Sequence, residues 1–168
     1  MTTIAVTGHM DLAEAGVPLV RDALRAALQP YAGDGLTGVS CLARGADCLF
    51  ADVVLELGGR LVAVIPSRDY RRNEVGTEHA ATFDRLVGVA DEVLVLEHGI
   101  ADRSAYEDAN RVLLRRAQRL VAVWDGEPPS GKGGGTADAV LEARDAGLPV
   151  DVVWPAGAAR RARSLTEE

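Results

Sequence analysis

Val121-Ala122-Val123-Trp124-Asp125-Gly126, then Gly131-Lys132-Gly133-Gly134-Gly135-Thr136, then an amphipathic run stopping at Gly147 read as a buried strand, a glycine-rich loop and the start of a helix. Glycines let backbone approach a ligand with no side chain in the way. A helix N-terminus behind such a loop offers unpaired N–H groups and a partial positive charge. That combination suits a phosphate or a carboxylate.

The same alternation extends outward through the chain. Strand patterns occupy Thr3–Thr7, Thr37–Cys41, Arg60–Ile65, Glu92–Leu96, Arg119–Trp124 and Val150–Trp154. They are rich in valine, and several are apolar on successive positions, as expected of parallel strands covered on both faces. Helical patterns lie between them at Val17–Gln29, Ala46–Leu57, Glu74–Val89, Ala105–Ala117 and Thr136–Ala146. Val20, Leu24 and Leu28 fall on one face of the first, and Leu49, Val53 and Leu57 on one face of the second. Gly147 and Pro149 stop the last. The expectation is a single α/β, Rossmann-like three-layer domain over residues 1–154, with a mostly parallel sheet of about six strands and right-handed crossovers. Residues 155–168, small, polar and charged, are expected to form a loose or helical tail.

Length and composition agree. The 168 residues suit one domain, and 48% hydrophobic content supplies a sizeable core. A net charge of −7 argues against nucleic acid bound by phosphate neutralisation, while leaving room for one local basic pocket. Of the 18 basic residues only Lys132, inside the glycine loop, is lysine. Cys41 and Cys48 form neither a CxxC pair nor a zinc spacing and read as reduced thiols, which fits the cytoplasm. His9, His79 and His98 share no metal spacing, so no metal is expected. The N-terminus lacks a basic, then apolar, leader, and no apolar run reaches the roughly 20 residues that cross a bilayer, so no membrane association is expected.

In open α/β sheets ligands bind beyond the carboxyl ends of the strands. The unusual residues collect there: Gly8-His9-Met10-Asp11 after the first strand, Ala43-Arg44-Gly45-Ala46-Asp47 after the second, Pro66-Ser67-Arg68-Asp69-Tyr70 after the third, Glu97-His98-Gly99 after the fourth, and Asp125-Gly126 with the glycine loop after the fifth. Gly8 either opens an ordinary turn or lets a ligand lie close. His9 is a ligand contact or a surface residue. Arg44 either forks onto a phosphate or is a solvated turn residue. Asp138 complements the helix dipole or accepts hydrogen bonds from a sugar. Gly126-x-x-x-x-Gly131-Lys132-Gly133 nearly matches a Walker A loop, but Gly133 stands where Ser or Thr must hold magnesium, and the ATPase reading is rejected. GxGxxG is absent after the first strand, which speaks against a dehydrogenase.

Cys41-Leu42-Ala43-Arg44-Gly45-Ala46-Asp47, the Pro66-x-x-x-Tyr70 step, and Trp124-Asp125-Gly126 with Gly134-Gly135-Thr136-Ala137-Asp138 together resemble the SLOG superfamily, which includes the DprA/Smf DNA-processing proteins, YpsA- and YspA-like bacterial proteins and the LOG phosphoribohydrolases. The resemblance covers nearly the whole chain. It implies a Rossmann-like sheet binding a nucleotide or nucleotide-derived ligand, ADP-ribose-like or a sugar phosphate. Gly133, Gly134, Gly135 and Thr136 would hold phosphate, Arg44 and Gly45 the same phosphate or a second, and Gly8 would allow close approach. His9, Ser67, Tyr106 and Asp125 are further candidates around the sugar or base. Relatives commonly pair through helices, which implies a homo-oligomer.

One departure bears on catalysis. LOG enzymes carry Pro-Gly-Gly-x-Gly-Thr-x-x-Glu, whose glutamate serves N-glycosidic cleavage; aligning Gly135-Thr136 puts Ala139 at that position. Asp138 is one residue early, and one helical step turns a side chain by about 100°. Binding or sensing is therefore the leading expectation. The alternatives are a nucleoside-monophosphate phosphoribohydrolase using Asp138, Glu97 or Asp125 to stabilise positive charge on the ribose, and an interaction module with a vestigial pocket.

Overall fold

The structure, a computed structural model, describes residues 1–72, 77–131 and 135–161, without the side chain of Thr77. Six strands, β1 (Thr2–Gly8), β2 (Leu36–Ser40), β3 (Arg60–Ile65), β4 (Glu92–Val95), β5 (Arg119–Val123) and β6 (Val150–Val152), form one sheet in the order β4-β3-β2-β1-β5-β6. All five pairings are parallel, so the sheet is fully rather than mostly parallel. The connecting helices are α1 (Val17–Leu28), α2 (Ala46–Glu56), α3 (Thr77–Val89), α4 (Arg103–Arg116) and α5 (Thr136–Asp145).

Register sorts the side chains into layers. Ala5 stands opposite Val39 and Leu120, and Val39 opposite Val62. This row packs with Ala109 and Leu113 of α4 and Ala143 of α5. On the other face Ile4, Val6, Val121 and Val123 pack with Leu24 and Leu28 of α1 and with Phe50 and Val53 of α2. Leu61, Ala63 and Ile65 meet Phe83 and Leu86 of α3. Burial on both faces explains the unbroken apolar runs of the inner strands β1, β2, β3 and β5, while the edge strands β4 and β6 leave Val93, Val95 and Val152 exposed. Each fully buried aliphatic or aromatic side chain contributes about 1.5–3 kcal/mol.

Several boundaries shift for local reasons. α4 begins at Arg103 rather than Ala105, because the Asp102 carboxylate caps it by accepting from the Ala105 N–H at 2.9 Å. Residues 74–76 of the expected third helix lie outside the described residues. The tail is not loose over the part described. Ala13 N–H donates to Ala159 O at 2.8 Å and Arg161 N–H to Asp11 O at 2.7 Å, around a Leu12–Arg160 antiparallel bridge. The last described segment is thereby tied to the loop that follows β1. No described helix is long and apolar enough to cross a membrane.

Candidate functional site

From β1 the chain winds outward through β2 and β3 to β4, then returns on the other side of β1 as β5. The order in which strands join the sheet reverses between the parallel neighbours β1 and β5, and the crevice beyond their carboxyl ends is where this architecture takes ligands. A cavity of about 790 Å³ opens there, within the size range of small-molecule sites. Gly8 and His9 from β1, Arg44 from the loop before α2, Asp125 after β5, and Gly135 and Thr136 at the start of α5 all line it. Tyr106 and Asp138 line it too; Gly45, Ser67 and Glu97 do not. Gly133 and Gly134, expected to hold phosphate, lie with Lys132 outside the described residues.

The N-terminus of α5 lies on the cavity wall. Gly135 is its N-cap, and Ala139 N–H closes the first helical turn on Gly135 O at 3.0 Å. The Asp138 carboxylate folds back to accept from the Gly135 N–H at 3.2 Å. The N–H groups of Thr136, Ala137 and Asp138 have no intrahelical carbonyl to bond, as in the first turn of any helix, and all three residues line the cavity. Arg44 is exposed, and its guanidinium has no carboxylate partner among the described residues.

The N-terminus of α2, by contrast, is already occupied. Ala46 N–H donates to His9 O at 3.2 Å. Gly45 has φ +78°, and a Cβ there would stand 2.6 Å from His9 O and 2.9 Å from Met10 O. Gly45 thus admits the post-β1 loop rather than a ligand. At Gly8 a Cβ would stand 2.4 Å from the Ala46 Cβ and 2.9 Å from the Val123 Cβ, so chain packing alone demands glycine there.

Charge crosses the mouth of the crevice in a string. Arg160, from the tied-down tail, donates to both Asp11 carboxylate oxygens at 2.9 and 3.1 Å and lies 3.7 Å from Asp125. His9 Nε2 is 3.1 Å from both the backbone nitrogen and Oδ1 of Asp125. Unprotonated, Nε2 accepts from the backbone; protonated, it donates to the carboxylate. Burial lowers the His9 pKa from 6.5, helped by Arg160 and opposed by Asp125. The ring also meets Trp154 edge-on at 5.6 Å. Burial disfavours ionised Asp125, but the Glu127 N–H, His9 and Arg160 outweigh it and hold its carboxyl below the ordinary range.

A second group lies where β2 meets α2. Asp47 lines the cavity and is 7% exposed; burial pushes its carboxyl up to about 7, against the Ala43 N–H it accepts at 3.2 Å. Burial likewise raises the thiol of Cys41, with Asp47 adding to it. Leu42 between them is left-handed at φ +55°, its N–H bonded to Ser40 Oγ at 3.1 Å. Among the expected residues away from the cavity, Ser67 is fully buried and donates to Asp69 at 2.6 Å, and Glu97 is exposed beyond the edge strand β4. Among the described residues no three His, Cys, Asp or Glu side chains converge to hold a metal ion.

Sequence reasoning passed over Arg160, Asn110 and Thr7, all of which line the cavity. Asn110 sits within a helical pattern and Thr7 within a strand pattern, so neither carried a local signal. Arg160 reaches the site only because the tail pairs with residues 11–13.

The chain matches no protein-family model and no curated protein. Solved structures do match. DprA from Streptococcus pneumoniae is 18% identical with a TM-score of 0.64, over 90% of this chain and 50% of that one. DprA from Helicobacter pylori, solved for its single-stranded DNA binding mode, is 14% identical with a TM-score of 0.63, over 90% of this chain and 64% of that one. The Moco carrier protein from Chlamydomonas reinhardtii is 22% identical with a TM-score of 0.55, over 90% of this chain and 75% of that one. This chain therefore spans half of one DprA and less than two thirds of the other. These likenesses show the Rossmann-like fold that the resemblance read from the sequence implies.

Proposed function

We propose that this protein binds a phosphorylated, nucleotide-derived small molecule in the cavity between β1 and β5. The observation that carries the reading is the first turn of α5: three backbone N–H groups without intrahelical partners, on the wall of a cavity of about 790 Å³ at the point where strand order reverses. Backbone donors at a helix N-terminus favour a phosphate. The exposed Arg44 guanidinium adds a planar fork matched to phosphate oxygens. Asp125, held ionised, is an acceptor for sugar hydroxyls beside the phosphate.

Binding without turnover is the better supported form. Asp138 is engaged with the Gly135 N–H, Glu97 does not line the cavity, and buried Ala139 occupies the position of the LOG glutamate. The net charge of −7 disfavours nucleic acid as the partner. That a Moco carrier protein shares the fold supports a small-molecule cargo.

The test is thermal unfolding with adenosine 5′-monophosphate, ADP-ribose and ribose 5-phosphate, for the parent and for Thr136→Asp. A ligand at a hundred times its Kd adds about 2.7 kcal/mol, or roughly 5–10 °C in a domain of this size. A carboxylate at the first helical position suits the α5 dipole but repels phosphate. Thr136→Asp therefore keeps its ligand-free midpoint and loses the ligand-induced rise. An undiminished rise in Thr136→Asp, or no rise in the parent with any of the three, contradicts the reading.

A further inference from the structure

Residues 155–161 form a strap outside the six strands of the sheet and the five α-helices. The strap follows β6, turns at Gly157 and lies along residues 11–13, in the loop after β1. Its seat is thin. Two backbone bonds hold it there, Ala13 N–H to Ala159 O and Arg161 N–H to Asp11 O, with Ala158 packed against the core. Ala156, Gly157 and residues 159–161 are exposed. A segment with few buried contacts and solvent-facing backbone bonds opens while the rest of the domain stays folded.

What the strap brings to the cavity is charge. Among the described lining residues only Arg44 and Arg160 carry a permanent positive charge, against the carboxyls of Asp11, Asp47, Asp125, Glu127 and Asp138. Burial lowers the His9 pKa below 6.5, so that ring adds no full charge at neutral pH. Arg160 donates through Nε to Asp11, and its Nη1 stands 3.7 Å from Asp125 Oδ2. With the strap seated, its guanidinium offsets one of these two carboxylates. With the strap lifted, Asp11 and Asp125 stand as two negative charges without it, and Arg44 is the one guanidinium left among the described lining residues. An anion in the cavity is attracted by the seated form and repelled by the lifted one, more strongly than it would be in bulk water. A ligand shifts an equilibrium between two forms through such a difference in interaction.

We propose that the strap is a latch that responds to occupancy of the cavity: an anionic ligand and the seating of residues 155–161 favour one another through Arg160. The inference rests on the reading that the ligand is phosphorylated, and goes beyond it by stating what changes in the protein when the ligand arrives. Linkage makes the effect reciprocal. The factor by which the seated strap tightens the ligand is the factor by which saturating ligand tightens the strap. Arg160 is both a lining residue and a strap residue, so the two events share one side chain.

Amide hydrogen exchange and calorimetric titration of the full chain test it, with adenosine 5′-monophosphate and ribose 5-phosphate as probes. The Ala13 and Arg161 amides report seating, because they make the two strap bonds; Gly147, bonded to Arg144 O at the opposite edge of the sheet, is the control. In the parent a saturating probe slows exchange at Ala13 and Arg161 by about fivefold or more and leaves Gly147 within about twofold. Arg160→Gln keeps a donor for Asp11 and loses the charge. It binds the probe about fivefold or more weaker, and saturation no longer slows its Ala13 and Arg161 amides. Gly157→Val acts from outside the cavity: Gly157 does not line it, its φ is +92°, and a Cβ there would stand 2.6 Å from Leu19 Cδ1. That variant unseats the strap with Arg160 intact, so its Ala13 amide exchanges faster and its affinity for the probe falls, by up to the same factor. A probe that binds the parent without slowing Ala13 and Arg161, Arg160→Gln binding within about twofold of the parent, or Gly157→Val with a freed Ala13 amide and the parent's affinity overturns the latch alone. Failure of both probes to bind the parent overturns the phosphorylated-ligand reading with it.

Discussion

Asp47 is the residue at which burial and chemistry pull hardest against each other. Its carboxyl is 7% exposed and titrates near 7, against 3.8 for a free aspartate. Between those values the folded protein holds a proton that the unfolded chain releases. Stability is therefore fully present below pH 3.8, falls as pH rises toward 7, and levels off above it. Asn at this position accepts from the Ala43 N–H and carries no charge. Asp47→Asn is expected to be more stable than the parent by about 1–3 kcal/mol at pH 8, with the difference vanishing near pH 4; denaturant unfolding at the two pH values checks this. Equal midpoints at pH 8 would mean that water reaches the carboxylate. His9 runs the other way. Its lowered pKa makes it lose stability as pH falls through 6.5, so the two groups are separable by variant.

Glycine shows what one residue conveys in sequence and what it does not. Gly8 was read from the sequence as a turn or a place of close ligand approach, and Gly45 as a phosphate contact. What makes them glycine was not legible: the Ala46 and Val123 side chains at Gly8, and the His9 and Met10 carbonyls at Gly45, are brought up by other elements. Asn110 is the converse. Nothing local distinguishes an asparagine in an amphipathic helix until the fold sets it on the cavity wall.

At the scale of elements, apolar runs and helical periodicity located the six strands and five α-helices of the described residues; β1, β2, β3 and β5 are buried runs, whereas the edge strands β4 and β6 read as strands from valine content although Val93, Val95 and Val152 are exposed. Ends were less legible, since caps set them: Asp102 begins α4 two residues early. The tail was illegible, because its pairing joins residues 11–13 to residues 159–161 with no periodicity on either side. Its two backbone bonds are supported by the Arg160–Asp11 pair, whose half-exposed side chains add little on their own. Ending the chain after Trp154 is expected to cost about 1–3 kcal/mol in denaturant unfolding. It also frees Asp125 of its neighbouring guanidinium. An unchanged midpoint would mean that the tail rests on the domain without stabilising it.

For the whole molecule, strand order makes the site. A sheet wound outward from β1 and then back past it leaves one crevice with strand ends on both sides. The gathering of glycine, histidine and arginine after successive strands was legible because parallel strands put every such loop at one edge. Which of those loops the cavity joins was settled only by topology: the ends of β1, β2 and β5 contribute, with Tyr70 after β3, while Glu97 after β4 stays at the far edge. The opposite edge carries plain connections and a small polar hollow among Thr3, Thr37 and Arg60. Amide NMR of the full chain, titrated with adenosine 5′-monophosphate, separates the two edges in one measurement. The account predicts the largest shifts at Thr136, Ala137 and Asp138, with Arg44 and Asp125 following and Thr3, Thr37 and Arg60 unmoved. Amides 136–138 that stay in place while the nucleotide saturates, or shifts centred on the amino edge, would contradict it.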